Sequence, residues 1–277
     1  MIKINQQWVD ASQIQFGFSS GRASEILRFM SKYSNVYEFK NMEQLEFEVA
    51  IRLQVIEAAL VLHKSGIQFS TIADTKCNPA FWRLTAEGAC ILQPFALPHA
   101  AIEDVFLNGR LYAFECATAI VIIFYKAVLK LIGREQFDEL FRGLYLFDWE
   151  YHQNLALRFH QGTDYLPGDC LYFKNPEHHP KTPEWQGENA IMLQENLFYG
   201  HGIGITTKEG IITVLNTKRR PNPTQSAYLT RHIINLDSSY FSKYTMVMPR
   251  KNSIPSEEIL RQSNMIVSKI GSATYLL

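Results

Sequence analysis

The apolar residues of this chain recur at helical spacing through its first half. The clearest row, with members three or four residues apart, consists of Leu45, Val49, Leu53, Ile56 and Leu60. This spacing predicts a helix over about residues 42–65 with one buried face. Asn41 and Gln44 form the pattern of a capping box at its start, and Gly66 is placed to end it.

Three further segments of the first half have a helical pattern. A helix is predicted over residues 22–32, and a short amphipathic helix over about 135–142. Between them, Cys116 is followed by the most apolar run of the chain, residues 117–125, in a pattern that continues to Gly133. A core helix therefore begins at Cys116.

The second half has the short apolar runs and turn residues of β structure. In residues 144–151 every second residue is aromatic, which predicts a strand with one aromatic face. Pro167-Gly168-Asp169 is a turn signal. Further strands are predicted at residues 170–173, 189–194, 197–205 and 210–215, with a hairpin turn at Glu195-Asn196. Helices followed by an antiparallel meander predict an α+β fold, in which the helix begun by Cys116 packs on the sheet.

Length and charge limit the function classes. The 277 residues fit one catalytic domain over residues 1–248 and an extension over 249–277, in which a last helix is predicted at about 256–270. The formal net charge is zero, which predicts no binding to nucleic acid or to anionic membranes. The longest apolar run is too short to cross a bilayer, and no signal peptide is recognisable, so synthesis in the cytoplasm is expected.

Four cysteines carry the candidate chemistry of the chain: Cys77, Cys90, Cys116 and Cys170. None has the spacing of a metal site, and the chain is too long and cysteine-poor for a disulfide scaffold, which fits a reducing cytoplasm and is compatible with a free catalytic thiol. The sequence contains no acidic loop of the kind that binds calcium, so neither calcium dependence nor a cofactor is expected.

Cys116 is the candidate nucleophile because of its place at a helix start. The free N–H groups and the positive end of the helix dipole would favour its thiolate, which is the reactive form. The alternative is a small buried side chain beside an apolar run.

A base for this thiol is sought among eight histidines and the acids near the hairpin. His201 lies in the glycine-rich strand Tyr199-Gly200-His201-Gly202. A two-residue turn at Glu195-Asn196 would pair residue 190 with residue 201 and place Glu188 on the same face as His201. A three-residue turn would break that relationship.

Four segments carry a resemblance to a known family. They are Phe114-Glu115-Cys116-Ala117-Thr118-Ala119, Tyr172-Phe173-Lys174-Asn175-Pro176, Pro183-Glu184-Trp185-Gln186-Gly187-Glu188-Asn189 and Tyr199-Gly200-His201-Gly202. The turn, strand and hairpin resemble the papain-like NlpC/P60 superfamily, in which a histidine usually stands at the position of Glu188. That departure, together with the four segments, resembles the spore coat transglutaminases of endospore-forming bacteria, which are protein-glutamine γ-glutamyltransferases. The resemblance covers residues 1 to about 248.

The resemblance implies a reaction and its partners. Members of this family join the side-chain amide of a glutamine to the amine of a lysine on another protein and release ammonia, without metal or nucleotide. The implied substrates are spore coat proteins. The implied location is the mother cell during synthesis and the spore coat afterwards.

The resemblance also implies roles for individual residues. Cys116 would form a thioester, and Glu188 would be its base. A carboxylate at an ordinary pKa is too weak to deprotonate a thiol, so Glu188 is expected to be buried, close to the sulfur and raised in pKa, unless the helix end lowers the pKa of Cys116. Glu115 could act as a second base, and His201 could support Glu188 or line the cleft.

Three aromatic residues, Phe69, Trp149 and Trp185, are implied walls of a substrate tunnel. An apolar tunnel suits the alkyl stem of a lysine and excludes the water that would hydrolyse the thioester. Plain core packing is the alternative for each of them. For the whole chain, the alternatives are a cysteine hydrolase on the same fold and a structural coat protein without activity.

Overall fold

The computed structural model describes residues 1–16, 21–244, 267–270 and 273–276. Its helices within these ranges are α1 Gly21–Lys32, α2 Met42–Lys64, α3 Pro98–Leu107, α4 Cys116–Ile132, α5 Arg134–Leu140, α6 Lys208–Asn216 and α7 Ser238–Phe241. The mixed architecture confirms the α+β prediction. The helices predicted at 22–32, 42–65, 116–133 and 135–142 all exist, with bounds that differ by no more than a few residues.

The strands in the same ranges follow in chain order. They are β1 Ile2–Ile4, β2 Gln7–Val9, β3 Tyr37–Phe39, β4 Gln68–Phe69, β5 Trp82–Leu84, β6 Cys90–Leu92, β7 Ala113–Phe114, β8 Tyr145–Leu146, β9 Leu157–Gln161, β10 Cys170–Lys174, β11 Gly187–Gln194, β12 Leu197–Gly200, β13 Gly204–Thr206, β14 Tyr228–Leu236, β15 Val267–Ile270 and β16 Ala273–Leu276.

The central sheet has the strand order β13-β12-β11-β10-β14-β9 among the described strands, and every neighbouring pair is antiparallel. Ile191 and Leu193 of β11 pack into the core that contains α4, whereas Ala190 and Met192 pack into the core that contains α1. The sheet therefore separates two apolar layers, and the helix begun by the cysteine packs on one face of it, as predicted.

Helix α2 is buried more widely than its sequence pattern predicted. Its start is as expected, because Oδ1 of Asn41 accepts a hydrogen bond from the backbone N–H of Gln44 at 2.9 Å. The side chain of Gln44 accepts from the N–H of Lys40 instead of completing the predicted box. The predicted face is buried, and burial extends beyond it, since α2 supplies residues to both cores.

Two charged residues of α2, Glu48 and Arg52, are also buried, and Arg52 binds the predicted turn at residues 167–169. Arg52 forms ion pairs with Glu48 at 2.6 Å and with Asp169 at 2.8 Å, and each side chain is less than a tenth exposed. Gly168 has φ +91°, and a Cβ atom there would lie 2.9 Å from Cα of Arg52. A glycine is therefore required where the turn lies against the helix.

Residues 210–215 form the middle of α6, so the predicted strand is wrong. The Thr207 side chain accepts from the N–H of Gly210 and caps the helix. Ile211 and Leu215, four residues apart, provide the fully buried positions. A short apolar run fits a strand or a helix equally well by periodicity, and here the cap decides.

The predicted strand over residues 144–151 is reduced to Tyr145–Leu146. These two residues pair with β6, and the chain then turns back through a bridge between Phe147 and Glu150. Asp148, inside this turn, has φ +47°. The segment with alternating aromatic and polar residues is therefore a turn that contains Trp149, and not a strand.

The hairpin turn at Glu195-Asn196 is confirmed, with φ +53° at Asn196, but its predicted register is wrong. A β-bulge lies between Met192 and Gln194 and shifts the pairing, so that Ala190 lies opposite Gly200 instead of His201. The strand predicted over 197–205 is correspondingly divided into β12 and β13.

Cys77 and Cys90 form a disulfide, which the expectation of a reducing environment did not predict. Cys90 lies on β6, and the hairpin of β5 and β6 brings Cys90 back beside the segment before β5, which contains Cys77. Cys116 and Cys170 are free. Sequence spacing could not show this pairing, because a hairpin unforeseen in the sequence brings the two cysteines together.

The predicted C-terminal helix is contradicted at its end. Val267–Ile270 forms a strand that pairs with Ala273–Leu276. The rest of that prediction, residues 256–266, and the proposed boundary at residue 248 lie outside the described residues. Within the described ranges, every helix is too short or too polar to cross a bilayer.

Candidate active site

Cys116 is the first residue of α4, and its side chain opens into a cavity of about 950 Å³. The cavity lies between the start of α4, the turn that carries Trp149, and the strands β9, β10, β11 and β14. Residues that line it include Phe69, Glu115, Trp149, Tyr172 and Asn189. The helix start therefore presents a free thiol to a partly open cavity, as the nucleophile hypothesis requires.

Glu115 closes the helix end that was expected to activate the thiol. As the N-cap residue, it accepts hydrogen bonds from the backbone N–H groups of Ala117 and Thr118. These two N–H groups are therefore not available to the sulfur. Burial raises the pKa of Glu115, while the same hydrogen bonds oppose the rise.

The resting form of Cys116 is the thiol, which reverses the prediction of a thiolate. Burial is the largest cause that raises its pKa, and the neighbouring carboxyl groups of Glu188 and Glu115 raise it further. Asn189 acts in the opposite direction, because its Nδ2 lies 3.4 Å from Sγ of Cys116 and donates to it. The activation of the sulfur therefore depends on removing a proton.

Glu188 is buried as predicted, with 1 % of its surface exposed. Burial raises the pKa of Glu188 to about 8, and the carboxyl group of Glu115 adds to the rise. The backbone N–H groups of Gly202 and His201 donate to the carboxylate and limit the shift. Oε1 has no hydrogen-bond partner among the described residues. The site thus raises the basicity of this carboxylate, as its proposed role requires.

Glu188 and Asn189 are successive residues of β11, so their side chains leave opposite faces of the strand. Asn189 reaches the sulfur, whereas the Glu188 side chain lies against Gly200 of the neighbouring strand. No direct hydrogen bond joins Glu188 to Cys116 in the described part of the chain. The two groups interact electrostatically, since the carboxylate contributes to the raised pKa of the thiol.

His201 supports the site through its backbone, and its ring is bonded elsewhere. Nε2 lies 3.1 Å from the carbonyl oxygen of Gln68, and Nδ1 lies 3.1 Å from the hydroxyl of Tyr199. Burial lowers the pKa of His201 to about 4, so the imidazole is neutral. Because the carbonyl can only accept, Nε2 carries the proton and Nδ1 accepts from Tyr199. The ring does not line the cavity around Cys116.

Two of the three predicted tunnel residues, Phe69 and Trp149, line the cavity. Trp185 does not line it; its ring lies behind Phe69, with the ring centroids 5.3 Å apart, and only 4 % of the residue is exposed. The ammonium group of Lys218 covers another part of the Trp185 ring at 5.0 Å. Trp185 therefore packs behind Phe69 and supports this part of the cavity wall.

Sequence reasoning missed Asn189 and Phe159 of the cavity wall. Phe159 is 57 % exposed on the edge strand β9, which no pattern had indicated, and its ring contacts that of Trp149. Asn189 was visible only as the neighbour of Glu188, and its contact with the sulfur depends on how β11 lies against the start of α4.

Comparison with known proteins gives a consistent result. A family model for protein-glutamine gamma-glutamyltransferase matches residues 1–245. Enzymes with that name from Bacillus cereus and Bacillus anthracis are 44 % and 43 % identical over 250 residues, with 90 % of each chain covered. The solved structure of a transglutaminase from Geobacillus stearothermophilus, without its C-terminal extension, matches with a TM-score of 0.72 and 48 % identity. The match covers 75 % of this chain and 100 % of that one.

These matches include a family model whose matched residues contain both Cys116 and Glu188. They confirm the resemblance found in the sequence and favour acyl transfer over hydrolysis by the same fold. The chain belongs to the protein-glutamine γ-glutamyltransferase family, the acyltransferases known as transglutaminases.

Proposed function

We propose that Cys116 carries the glutamyl group as a thioester and that Glu188 accepts the proton of its thiol. The observation that carries this proposal is a free thiol at the wall of a cavity, in electrostatic interaction with a buried carboxyl group whose pKa is raised to about 8. Nucleophilic catalysis needs a nucleophile and a base of suitable pKa close to it, and Cys116 and Glu188 are the candidates for these two roles.

The raised pKa of Glu188 removes only one part of the energetic difficulty of a carboxylate base, because burial raises the pKa of the Cys116 thiol as well. A rise from the ordinary value of 4.5 to about 8 strengthens the carboxylate as a base by roughly 5 kcal/mol. The free oxygen, Oε1, has an open position for the proton. In our proposal the two groups approach each other when substrate fills the cavity, since catalytic hydrogen bonds often tighten only in the complex.

Acylation begins when the sulfur attacks the γ-carboxamide carbon of a glutamine. The C–S bond forms, the C–N bond breaks, and ammonia leaves with the proton that Glu188 had accepted. A lysine amine then attacks the thioester carbon and loses a proton to Glu188, the C–N bond of the isopeptide forms as the C–S bond breaks, and the proton returns to the sulfur as a thiol. Glu115 lies in the same cavity and could exchange protons with either step, although both of its oxygens already accept from the helix N–H groups.

Water must be excluded while the thioester waits for the amine. The rings of Phe69 and Trp149 in the cavity wall form an apolar path for the alkyl stem of a lysine. A cation can also rest on an aromatic face as it enters. We assign these two residues to the acceptor path, with Trp185 holding Phe69 in place.

We further propose that the substrates are spore coat proteins, and that the enzyme is made in the mother cell and then acts in the coat. Relatives from spore-forming Bacillus species support this assignment. In this proposal residues 1–248 are the catalytic domain and residues 249–277 are an extension.

Incorporation of a labelled primary amine tests the proposal. Purified protein is mixed with the amine and with coat material from spores that lack this enzyme, and the label in the coat proteins is measured. We expect incorporation by the unmodified protein and by Cys170→Ala, which changes a fully buried thiol away from the cavity, and none by Cys116→Ala. Equal incorporation by Cys116→Ala would contradict the thioester, and labelling of a glutamine peptide without labelling of coat proteins would contradict the coat assignment.

A further inference from the structure

We propose that the side-chain amide of Asn189 is an oxyanion donor of this site. Its Nδ2 lies 3.4 Å from Sγ of Cys116, and the residue is 7 % exposed at the wall of the catalytic cavity. An atom that bonds to the sulfur places its oxygen substituent close to this amide. The inference rests on the proposed role of Cys116 as the nucleophile.

The helix end leaves few other donors for this task. The N–H groups of Ala117 and Thr118 are occupied by the Glu115 carboxylate. The backbone N–H of Cys116 begins the helix beside the sulfur, and the backbone N–H of Asn189 donates to the sulfur itself. An oxyanion hole needs fixed donors, so Asn189 and the N–H of Cys116 form the pair.

The amide of Asn189 also has a donor to spare. Its Nδ2 carries two hydrogens, and the contact with the sulfur uses one of them. Asn189 lies on β11, in register with Tyr172 of β10, and the strand is paired on both sides. The amide is therefore held by the sheet before the substrate arrives, which is the condition for electrostatic stabilisation without reorganisation.

The amide suits the charge of the site. Two carboxyl groups, those of Glu115 and Glu188, already raise the pKa of the thiol. As the sulfur attacks the γ-carboxamide, the C=O electron pair moves to oxygen and a negative charge forms there. Asn189 stabilises that oxyanion as a neutral donor, and the charge returns to the carbonyl when the C–N bond breaks and ammonia leaves.

The test compares two reactions of the same sulfur. Acyl transfer from a blocked glutaminyl-glycine to hydroxylamine passes through an oxyanion, whereas alkylation of Cys116 by iodoacetamide does not. In Asn189→Ala we expect kcat/KM for acyl transfer to fall about 10²-fold to 10³-fold. We expect the alkylation rate of Cys116 to fall less than about tenfold, because only the hydrogen bond to the sulfur is lost.

The two rates distinguish the possible roles of Asn189. Equal losses in both reactions would show that the amide acts on the sulfur alone, and unchanged acyl transfer would remove it from catalysis; either result overturns the proposal. If Asn189→Ala does not fold, Asn189→Leu keeps the side-chain volume without a donor and has the same expected outcome. Failure of the unmodified protein to transfer the acyl group would count against Cys116 as nucleophile, not against Asn189.

Discussion

The carboxyl group of Glu188 lies where a side chain at residue 200 would project. A Cβ atom added to Gly200 would lie 2.8 Å from Oε1 of Glu188 and 3.0 Å from its Cγ. Ala190, two residues after Glu188 on the same face of β11, is the register partner of Gly200. The glycine therefore creates the space in which the proposed base is held.

Substitution of this glycine is expected to displace the base. In Gly200→Ala the new methyl group pushes the carboxyl group aside, and we expect kcat to fall at least tenfold with a smaller effect on KM. Gly162→Ala is the matched control, since a Cβ atom there would meet only ordinary contacts, the nearest at 3.6 Å. Steady-state amine incorporation measures kcat and KM of both variants. Equal kcat values for Gly200→Ala and Gly162→Ala would show that the position of Glu188 is not critical.

The pH dependence of turnover is expected to report the ionisation of Glu188. The carboxyl group must be ionised to accept a proton, so the rate should rise with pH through about 8. Glu188→Gln should lower kcat by about 10²-fold and remove this limb from the profile. The measurement uses hydroxylamine as the acceptor, because a lysine amine would add its own ionisation. A loss of less than tenfold would remove Glu188 from the role of base.

The same group makes folding stability depend on pH. Its pKa is about 8 in the folded protein and near 4.5 when unfolded, so the folded state binds more protons between these values. Stability should therefore fall as pH rises through this window, by up to about 1.4 kcal/mol per pH unit from this group.

Glu188→Gln removes that contribution. Urea unfolding at several pH values should show the variant gaining stability relative to the unmodified protein from pH 5 to pH 8, and no further gain above. A constant difference across this range would show that Glu188 has an ordinary pKa.

The two tryptophans of the predicted tunnel should respond differently to truncation. Trp149 lines the cavity, so Trp149→Ala should admit water and raise the ratio of glutamine hydrolysis to amine transfer. Trp185 is buried behind Phe69, so Trp185→Ala should chiefly lower stability, by about 3–5 kcal/mol. Ammonia release with and without amine measures the ratio, and an unchanged ratio in Trp149→Ala would contradict its role in the wall.

Local sequence signals were sufficient to predict helix starts and turns, because these depend on residues that are close together in the chain. The cap at Asn41, the turn with Gly168 and the helix begun by Cys116 all follow from residues near each other in the chain. The resemblance identified Glu188 as the base, and its burial followed from the weakness of a carboxylate at an ordinary pKa.

Relationships across the sheet were not predictable in the same way. The bulge after Met192 changed the partner of Ala190, and no residue type marks that position. Likewise, Glu115 covers the N–H groups that the sequence assigned to the sulfur, since a helix start does not reveal which acceptor will bind it. Asn189 became part of the site only through the packing of β11 against α4.

Mass spectrometry of the acylated protein tests the central claim most directly. Incubation with a blocked glutaminyl-glycine and no amine should add the mass of the substrate less ammonia, on Cys116. Addition of a lysine analogue should remove the adduct and release an equal amount of the γ-glutamyl amine. An adduct on another residue, or amine transfer by Cys116→Ala at the unmodified rate, would contradict the account.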